Sequence, residues 1–149
     1  MPPVASSSSS KTSATTAGSR RCVVLIDDEV SYLDLLEQLL GEQLACPIVS
    51  FNNPRKALKD MRHLNVGLIV TDYNMPGLTG LDLLAEARKF MPDVPAVMIT
   101  AYAVEFTADQ LANVPSLKAV VKKPFRWPVL AEHITKHWPS DSSPPFPGH

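Results

Sequence analysis

Five polar residues with reactive side chains stand at the ends of short apolar runs in this sequence. In chain order they are Asp27 and Asp28 after residues 23–26, Asp72 after 66–71, Thr100 after 96–99, and Lys123 shortly after 119–121. Apolar runs of this length are typical of buried β-strands, and an open α/β sheet carries its chemistry at the carboxyl ends of its strands. The spacing therefore predicts that these side chains share one site.

Three carboxylates in one site would repel one another unless a cation held them. A set of oxygen ligands with open positions suits Mg²⁺, which keeps bound waters and takes one or two carboxylates together with a phosphate. Lys123 adds a positive charge suited to phosphate oxygens, and Thr100 adds a hydroxyl donor. Asp72 beside such a cation and a lysine is a competent nucleophile for phosphoryl transfer, and the product would be an aspartyl phosphate.

The segments between these residues alternate between strand-like and helix-like patterns. Strands are predicted over 21–26, 47–51, 66–71, 95–100 and 117–122, and helices over about 28–44, 53–63, 80–90, 107–113 and 126–138. The first helix carries an apolar stripe from Val30, and Thr107 with Gln110 forms a capping-box pattern at the start of the fourth. This alternation predicts an α/β fold with a parallel sheet and crossover helices. Right-handed crossovers bring the carboxyl ends of all the strands to one edge of the sheet.

Composition limits the classes of protein to which the chain can belong. It has 149 residues and a formal net charge of −1, which gives no general attraction to nucleic acid or to an anionic membrane.

One domain is expected over 20–138, between a disordered Ser/Thr-rich N-terminal tail over 1–19 and a disordered Pro-rich C-terminal tail over 139–149. Without a membrane-spanning run or a signal peptide, the expected compartment is the cytoplasm. There, Cys22 and Cys46 are expected to be unbonded thiols.

The order of these motifs resembles the receiver domain of two-component response regulators, over roughly residues 20–138. The matching features are the acidic pair Asp27-Asp28, Asp72 in an Asp-x-x-Met-Pro-Gly context, Thr100 followed by the small Ala101, and the tripeptide Lys123-Pro124-Phe125. Each feature is weak alone, but the ordered set at the ends of predicted strands is specific. The resemblance implies a flavodoxin-like, doubly wound (βα)5 sandwich with a five-stranded parallel sheet in the order 2-1-3-4-5.

The resemblance also implies a signalling role with one covalent step. Asp72 would accept a phosphoryl group from a sensor histidine kinase or a phosphotransfer protein, and the chain would act on a downstream protein as a stand-alone receiver. Mg²⁺, replaceable by Mn²⁺, would be held by Asp28, Asp72, the backbone carbonyl of Asn74 and, through water, Asp27. Gain and loss of phosphate at Asp72 would be its only chemistry, without turnover of an external substrate.

Further residues are assigned to the response that follows phosphorylation. By the resemblance, Thr100 and Lys123 would contact the phosphoryl group, with the small Ala101 beside the threonine. The peptide bond between Lys123 and Pro124 would be cis. Movement of Thr100 toward the phosphate would repack the face made by the fourth helix, the fifth strand and the fifth helix.

One position departs from the family pattern. The family commonly has an aromatic residue three positions before the signature lysine, where this chain has Val120. The coupling from the phosphate to the surface is therefore expected to be lost or to run through other groups, for which Tyr102 and Phe106 are the candidates. Tyr102, two residues after Thr100, is also expected to shield Asp72 and so to slow the loss of phosphate.

Two other functions fit part of the pattern. A degenerate receiver would act as a phosphorylation-independent binding module, which Val120 leaves open. A Mg²⁺-dependent phosphohydrolase of the haloacid-dehalogenase-like class would also form an aspartyl phosphate. Such enzymes usually carry a second aspartate two residues after the nucleophile, where this chain has Asn74. Taken singly, Asp27 and Asp28 could also be acids at a helix start, and Asp72 a turn residue.

Overall fold

The computed structural model describes residues 20–101, 105–140 and 145. These residues form five strands, which are Cys22–Ile26 (β1), Ile48–Phe51 (β2), Val66–Asp72 (β3), Ala96–Thr100 (β4) and Leu117–Lys122 (β5). The helices are Val30–Gly41 (α1), Pro54–Met61 (α2), Gly80–Ala87 (α3), Ala108–Ala112 (α4) and Trp127–His137 (α5). These bounds agree with the predicted ones to within a few residues. None of these helices is long and apolar enough to cross a bilayer.

All five strands are parallel and lie in the order β2-β1-β3-β4-β5. This arrangement confirms the predicted doubly wound α/β fold and its strand order. Ile26 of β1 lies opposite Thr71 of β3, and Asp72 of β3 lies opposite Ile99 of β4. The carboxyl ends of these three strands therefore reach the same edge of the sheet.

Two apolar layers cover the two faces of the sheet. One layer packs against α2 and α3, and the other packs against α1 and α5. All seven residues of β3 are buried, as expected for a central strand that is covered on both faces. Leu33, Leu36 and Leu40 carry the apolar stripe of α1 into the core. Val30 is 49% exposed, contrary to the predicted stripe, so the buried stripe of α1 begins one turn later, at Leu33.

The short helix α4 is attached to the core by its flanks. None of its five residues is buried. Its predicted capping box is confirmed, because the Thr107 side chain accepts the N–H of Gln110 and the Gln110 side chain accepts the N–H of Thr107. Phe106 before the helix and Val114 after it pack into the layer on the α2–α3 face. These two apolar side chains therefore attach α4 to the core.

Both cysteines are free thiols, as expected. Burial, followed by the neighbouring Cys46, raises the pKa of Cys22 to about 12. Burial also raises the pKa of Cys46 to about 11. Both thiols therefore stay protonated at neutral pH.

Pro145 lies in the segment that was predicted to be disordered. It is buried, and its carbonyl accepts the N–H of Ala45 at 2.6 Å. Pro139 and Ser140 of the predicted tail are also described, whereas residues 1–19, 141–144 and 146–149 of the two tails lie outside the described ranges.

Candidate functional site

Four strand ends place the predicted site residues next to one another. Asp27 directly follows β1, Asp72 ends β3, and Thr100 ends β4. Lys123 directly follows β5, and its backbone N–H donates to the carbonyl of Thr100 at 2.7 Å. One carboxylate oxygen from each of Asp27, Asp28 and Asp72 lies within 4.8 Å of the other two. The fold thus gathers acids that are separated by more than forty positions along the chain.

The two members of the acidic pair have different surroundings. Asp27 is buried, and its Oδ1 accepts the N–H of Glu29 at 2.9 Å. The Oδ2 atom of Asp27 is 3.5 Å from the Nζ of Lys123. Asp28 is exposed. Asp27 therefore uses its carboxylate for contacts within the protein, whereas Asp28 remains accessible to a ligand from solvent.

Lys123 forms ion pairs with two carboxylates of the acidic cluster. Its Nζ is 3.3 Å from the Oδ1 of Asp72, which adds to its ion pair with Asp27. The same Nζ lies 4.1 Å from the centroid of the Tyr32 ring. The peptide bond between Lys123 and Pro124 is cis.

The fold raises the pKa of two of the carboxyl groups. Burial is the largest cause for both Asp27 and Asp72, and for Asp72 the next cause is the negative charge of Asp27. The hydrogen bond from Glu29 and the charge of Lys123 lower the pKa of Asp27, and Lys123 also lowers that of Asp72. One ammonium group faces three carboxylates, so the cluster keeps a net negative charge that a divalent cation would offset.

The turn after β3 is held against the site by main-chain contacts. The N–H of Tyr73 donates to the carbonyl of Ile99, and the carbonyl of Tyr73 accepts the N–H of Gly80, both at 2.8 Å. Glycine is required at Gly80, because an added Cβ would lie 2.5 Å from the carbonyl oxygen of Asp72. Asn74 is an exposed residue of this turn. Its backbone carbonyl as a metal ligand stays a prediction.

The residues assigned to the response that follows phosphorylation do not all lie at the acidic cluster. Thr100 is buried at the end of β4, and the adjacent Ala101 is exposed. Val120 on β5 is 44% exposed, so a large part of the residue faces solvent. Tyr102 lies outside the described residues, and its shielding of Asp72 stays a prediction.

Two aromatic residues at the site were missed by the sequence reasoning. The Tyr32 ring lies beneath Lys123, and the Tyr73 ring meets the ring of Phe106 edge-on, with centroids 5.5 Å apart. The available signal for Tyr32 was its position four residues after Asp28, one turn into the helix that follows the acids. Tyr73 gave no such signal beyond its place next to Asp72.

The donor atoms of the cluster fit a hard divalent cation. Asp27, Asp28 and Asp72 offer carboxylate oxygens, the ligand type that Mg²⁺ prefers. Burial is the main cause of the raised pKa values of Asp27 and Asp72, and a bound cation would favour their charged forms. The residues present therefore suit Mg²⁺.

Comparison with known proteins agrees with this architecture. A family model of the response regulator receiver domain matches residues 23–135. The chemotaxis protein CheY of Pseudomonas aeruginosa is 31% identical over 118 residues, which cover 76% of this chain and 93% of that protein. The transcriptional regulatory protein ZraR of Klebsiella oxytoca is 28% identical over 103 residues, which cover 67% of this chain and 22% of that protein. The matched region thus spans nearly all of one relative and about a fifth of the other.

A solved structure supports the same assignment. The response regulator protein TrrA of Thermotoga maritima, crystallised in complex with Mg²⁺ and BeF, superposes with a TM-score of 0.69 at 28% sequence identity. The superposition covers 78% of this chain and 97% of that chain. The strand order, the acidic cluster with its lysine, and these matches lead to one conclusion: this chain belongs to the response regulator receiver domain family.

Proposed function

We propose that Asp72 accepts a phosphoryl group from the phosphohistidine of a sensor histidine kinase or a phosphotransfer protein, in a reaction that requires Mg²⁺. The observation that carries this proposal is the meeting of Asp72 with the oxygens of Asp27 and Asp28 and with the ammonium of Lys123 at one edge of the sheet. The phosphorylated chain then signals through altered contacts with a downstream protein. It carries out no turnover of an external substrate.

The covalent step needs little from the protein besides position and charge. An oxygen of Asp72 attacks the phosphorus atom, the bond from phosphorus to the histidine nitrogen breaks, and that nitrogen keeps the electron pair. Lys123 is already 3.3 Å from Asp72 and neutralises charge on the incoming oxygens. Asp28, Asp72 and the backbone carbonyl of Asn74 would hold Mg²⁺, with Asp27 acting through water. When bound, Mg²⁺ would neutralise the carboxylates and the phosphoryl oxygens.

Thr100 and Ala101 are proposed to act after the transfer. The Thr100 side chain is buried at the end of β4, next in the sheet to the strand that ends in Asp72. Its hydroxyl would donate to a phosphoryl oxygen, and the small side chain of Ala101 leaves room beside it. Val120 does not provide the aromatic partner of the family, which favours a response carried by other residues.

Acetyl phosphate tests the proposal without knowledge of the kinase. The chain is incubated with acetyl phosphate and Mg²⁺, and its intact mass is measured. We expect a gain of one phosphoryl group, and we expect this gain to be lost in Asp72→Asn and in excess EDTA. Mn²⁺ in place of Mg²⁺, without EDTA, should support the same gain. The control Asp93→Asn, which changes an exposed aspartate away from the cluster, should retain it. A wild-type chain that gains no mass in the presence of Mg²⁺ contradicts the proposal and favours the phosphorylation-independent binding module.

A further inference from the structure

The ammonium of Lys123 is confined from more than one side. The oxygens of Asp72 and Asp27 lie 3.3 and 3.5 Å from Nζ, and the centroid of the Tyr32 ring lies 4.1 Å away. The negative face of an aromatic ring attracts a cation at this distance, more strongly where water is excluded. The Lys123 side chain is only 18% exposed, so this attraction is weakly screened.

The ring of Tyr32 is itself held in place. Tyr32 lies in the first turn of α1, and its ring meets the ring of Phe125 edge-on, at 83° and with centroids 6.4 Å apart. Both rings pack against the apolar layer between the sheet and the helices α1 and α5. Tyr32 therefore contacts the residues on both sides of Pro124, and it links the helix after the acidic pair to the segment that carries the lysine.

We propose that Tyr32 is a positioning residue for phosphoryl transfer to Asp72, because its ring holds the Lys123 ammonium beside the acceptor before the phosphate donor arrives. A lysine side chain has many rotamers, and ordering it during the reaction would lower the rate. The ring orders it beforehand and supplies neither a charge nor a proton. The hydroxyl group is not part of this role. The inference rests on the proposed function of Asp72.

The test separates the ring of Tyr32 from its hydroxyl. Initial rates of phosphorylation are measured on the full chain with acetyl phosphate and saturating Mg²⁺. Tyr32→Phe keeps the ring, and we expect a rate close to that of the wild type. Tyr32→Leu removes the ring, and we expect a rate about tenfold lower, as for the loss of a partly desolvated cation–π contact. Leu35→Ala, which changes a residue that is 49% exposed on the same helix, serves as the control with an unchanged rate.

A second measurement reports the contact without any phosphorylation. The ring current of Tyr32 shifts the NMR signals of the ε-methylene group of Lys123, and we expect this shift in the wild type and in Tyr32→Phe but not in Tyr32→Leu. Thermal unfolding verifies that the leucine variant is folded. If it is not, Tyr32→Met replaces the ring with an unbranched side chain.

The outcomes separate this inference from the proposed function. Equal rates in the wild type and Tyr32→Leu overturn the inference while the proposed function stands. A rate in Tyr32→Phe as low as that in Tyr32→Leu also overturns it, because the hydroxyl would then be the active group. A wild-type chain that takes up no phosphate overturns the proposed function itself.

Discussion

Asp72 is an acid kept in surroundings that disfavour its charge. Its side chain is buried at the end of β3, and Asp27 adds a second negative charge nearby. The pKa of Asp72 is raised mainly by this burial, so the folded chain holds a proton to higher pH than the unfolded chain does. Stability therefore falls as the pH rises through the range just above the ordinary pKa of an aspartate, unless a cation is bound.

Asp72→Asn should accordingly stabilise the metal-free chain. In EDTA at neutral pH we expect the melting temperature to rise by roughly a few degrees, because the substitution removes a buried charge. The difference should shrink as the pH falls below the ordinary carboxyl range, where Asp72 is protonated in both states.

Mg²⁺ should narrow the difference in melting temperature between Asp72→Asn and the wild type. Saturating Mg²⁺ should raise the melting temperature of the wild type, and it should raise that of Asp72→Asn less, since a ligand that binds only the folded state stabilises it. Asp93→Asn should behave like the wild type in both conditions. A destabilised Asp72→Asn chain in EDTA would show that the charge of Asp72 is well balanced by Lys123.

The segment around α4 is the least supported element of the fold. The helix has no buried residue, and its flanks are held by Phe106 and Val114. Phe106 meets the ring of Tyr73, the residue that follows Asp72. The contact between the two rings links the segment around α4 to the turn that follows the phosphate acceptor. Phe106 was one of the two residues that the sequence offered for coupling the phosphate to the surface.

Phe106→Ala should loosen this segment and leave the sheet intact. We expect hydrogen exchange of the backbone amides over residues 106–114 to become roughly tenfold faster, because local opening is favoured when apolar contacts are lost. Exchange in β1 and β3 should be unchanged. Leu111→Ala, at a residue that is 43% exposed on α4, should have little effect. Equal exchange in both variants would mean that Phe106 does not anchor the helix.

The molecule has two dissimilar ends. The acidic cluster occupies the carboxyl end of the sheet, and the opposite end is closed by residues from near both termini. There Trp138 is buried, the guanidinium of Arg20 donates to the carbonyl of Ala45, and the N–H of Ala45 donates to Pro145. Packing at this end supports the fold without touching the proposed chemistry.

Gly67→Ala tests this separation of stability from chemistry. A Cβ at Gly67 would lie 2.6 and 2.9 Å from two carbons of the Trp138 ring, so we expect a loss of about 1–3 kcal/mol in the free energy of unfolding. Phosphorylation by acetyl phosphate should be unaffected below the melting temperature. The control is Gly41→Ala, where the nearest atom outside the helix backbone is 4.0 Å away, and it should be neutral or slightly stabilising. An unchanged stability of Gly67→Ala in denaturant unfolding would show that the ring can move aside.

The sequence by itself determined the class of fold, the strand order through its family resemblance, and the residues at the strand ends. Apolar runs and helical periodicity are local signals, and right-handed crossovers then leave few ways to join the elements. Val30 shows where periodicity fails, because it continues the apolar pattern of α1 and is nevertheless 49% exposed. Only the tertiary structure placed Tyr32 under Lys123 and Phe106 on Tyr73. These contacts join distant parts of the chain, and their geometry depends on how the helices pack rather than on any pattern within one segment.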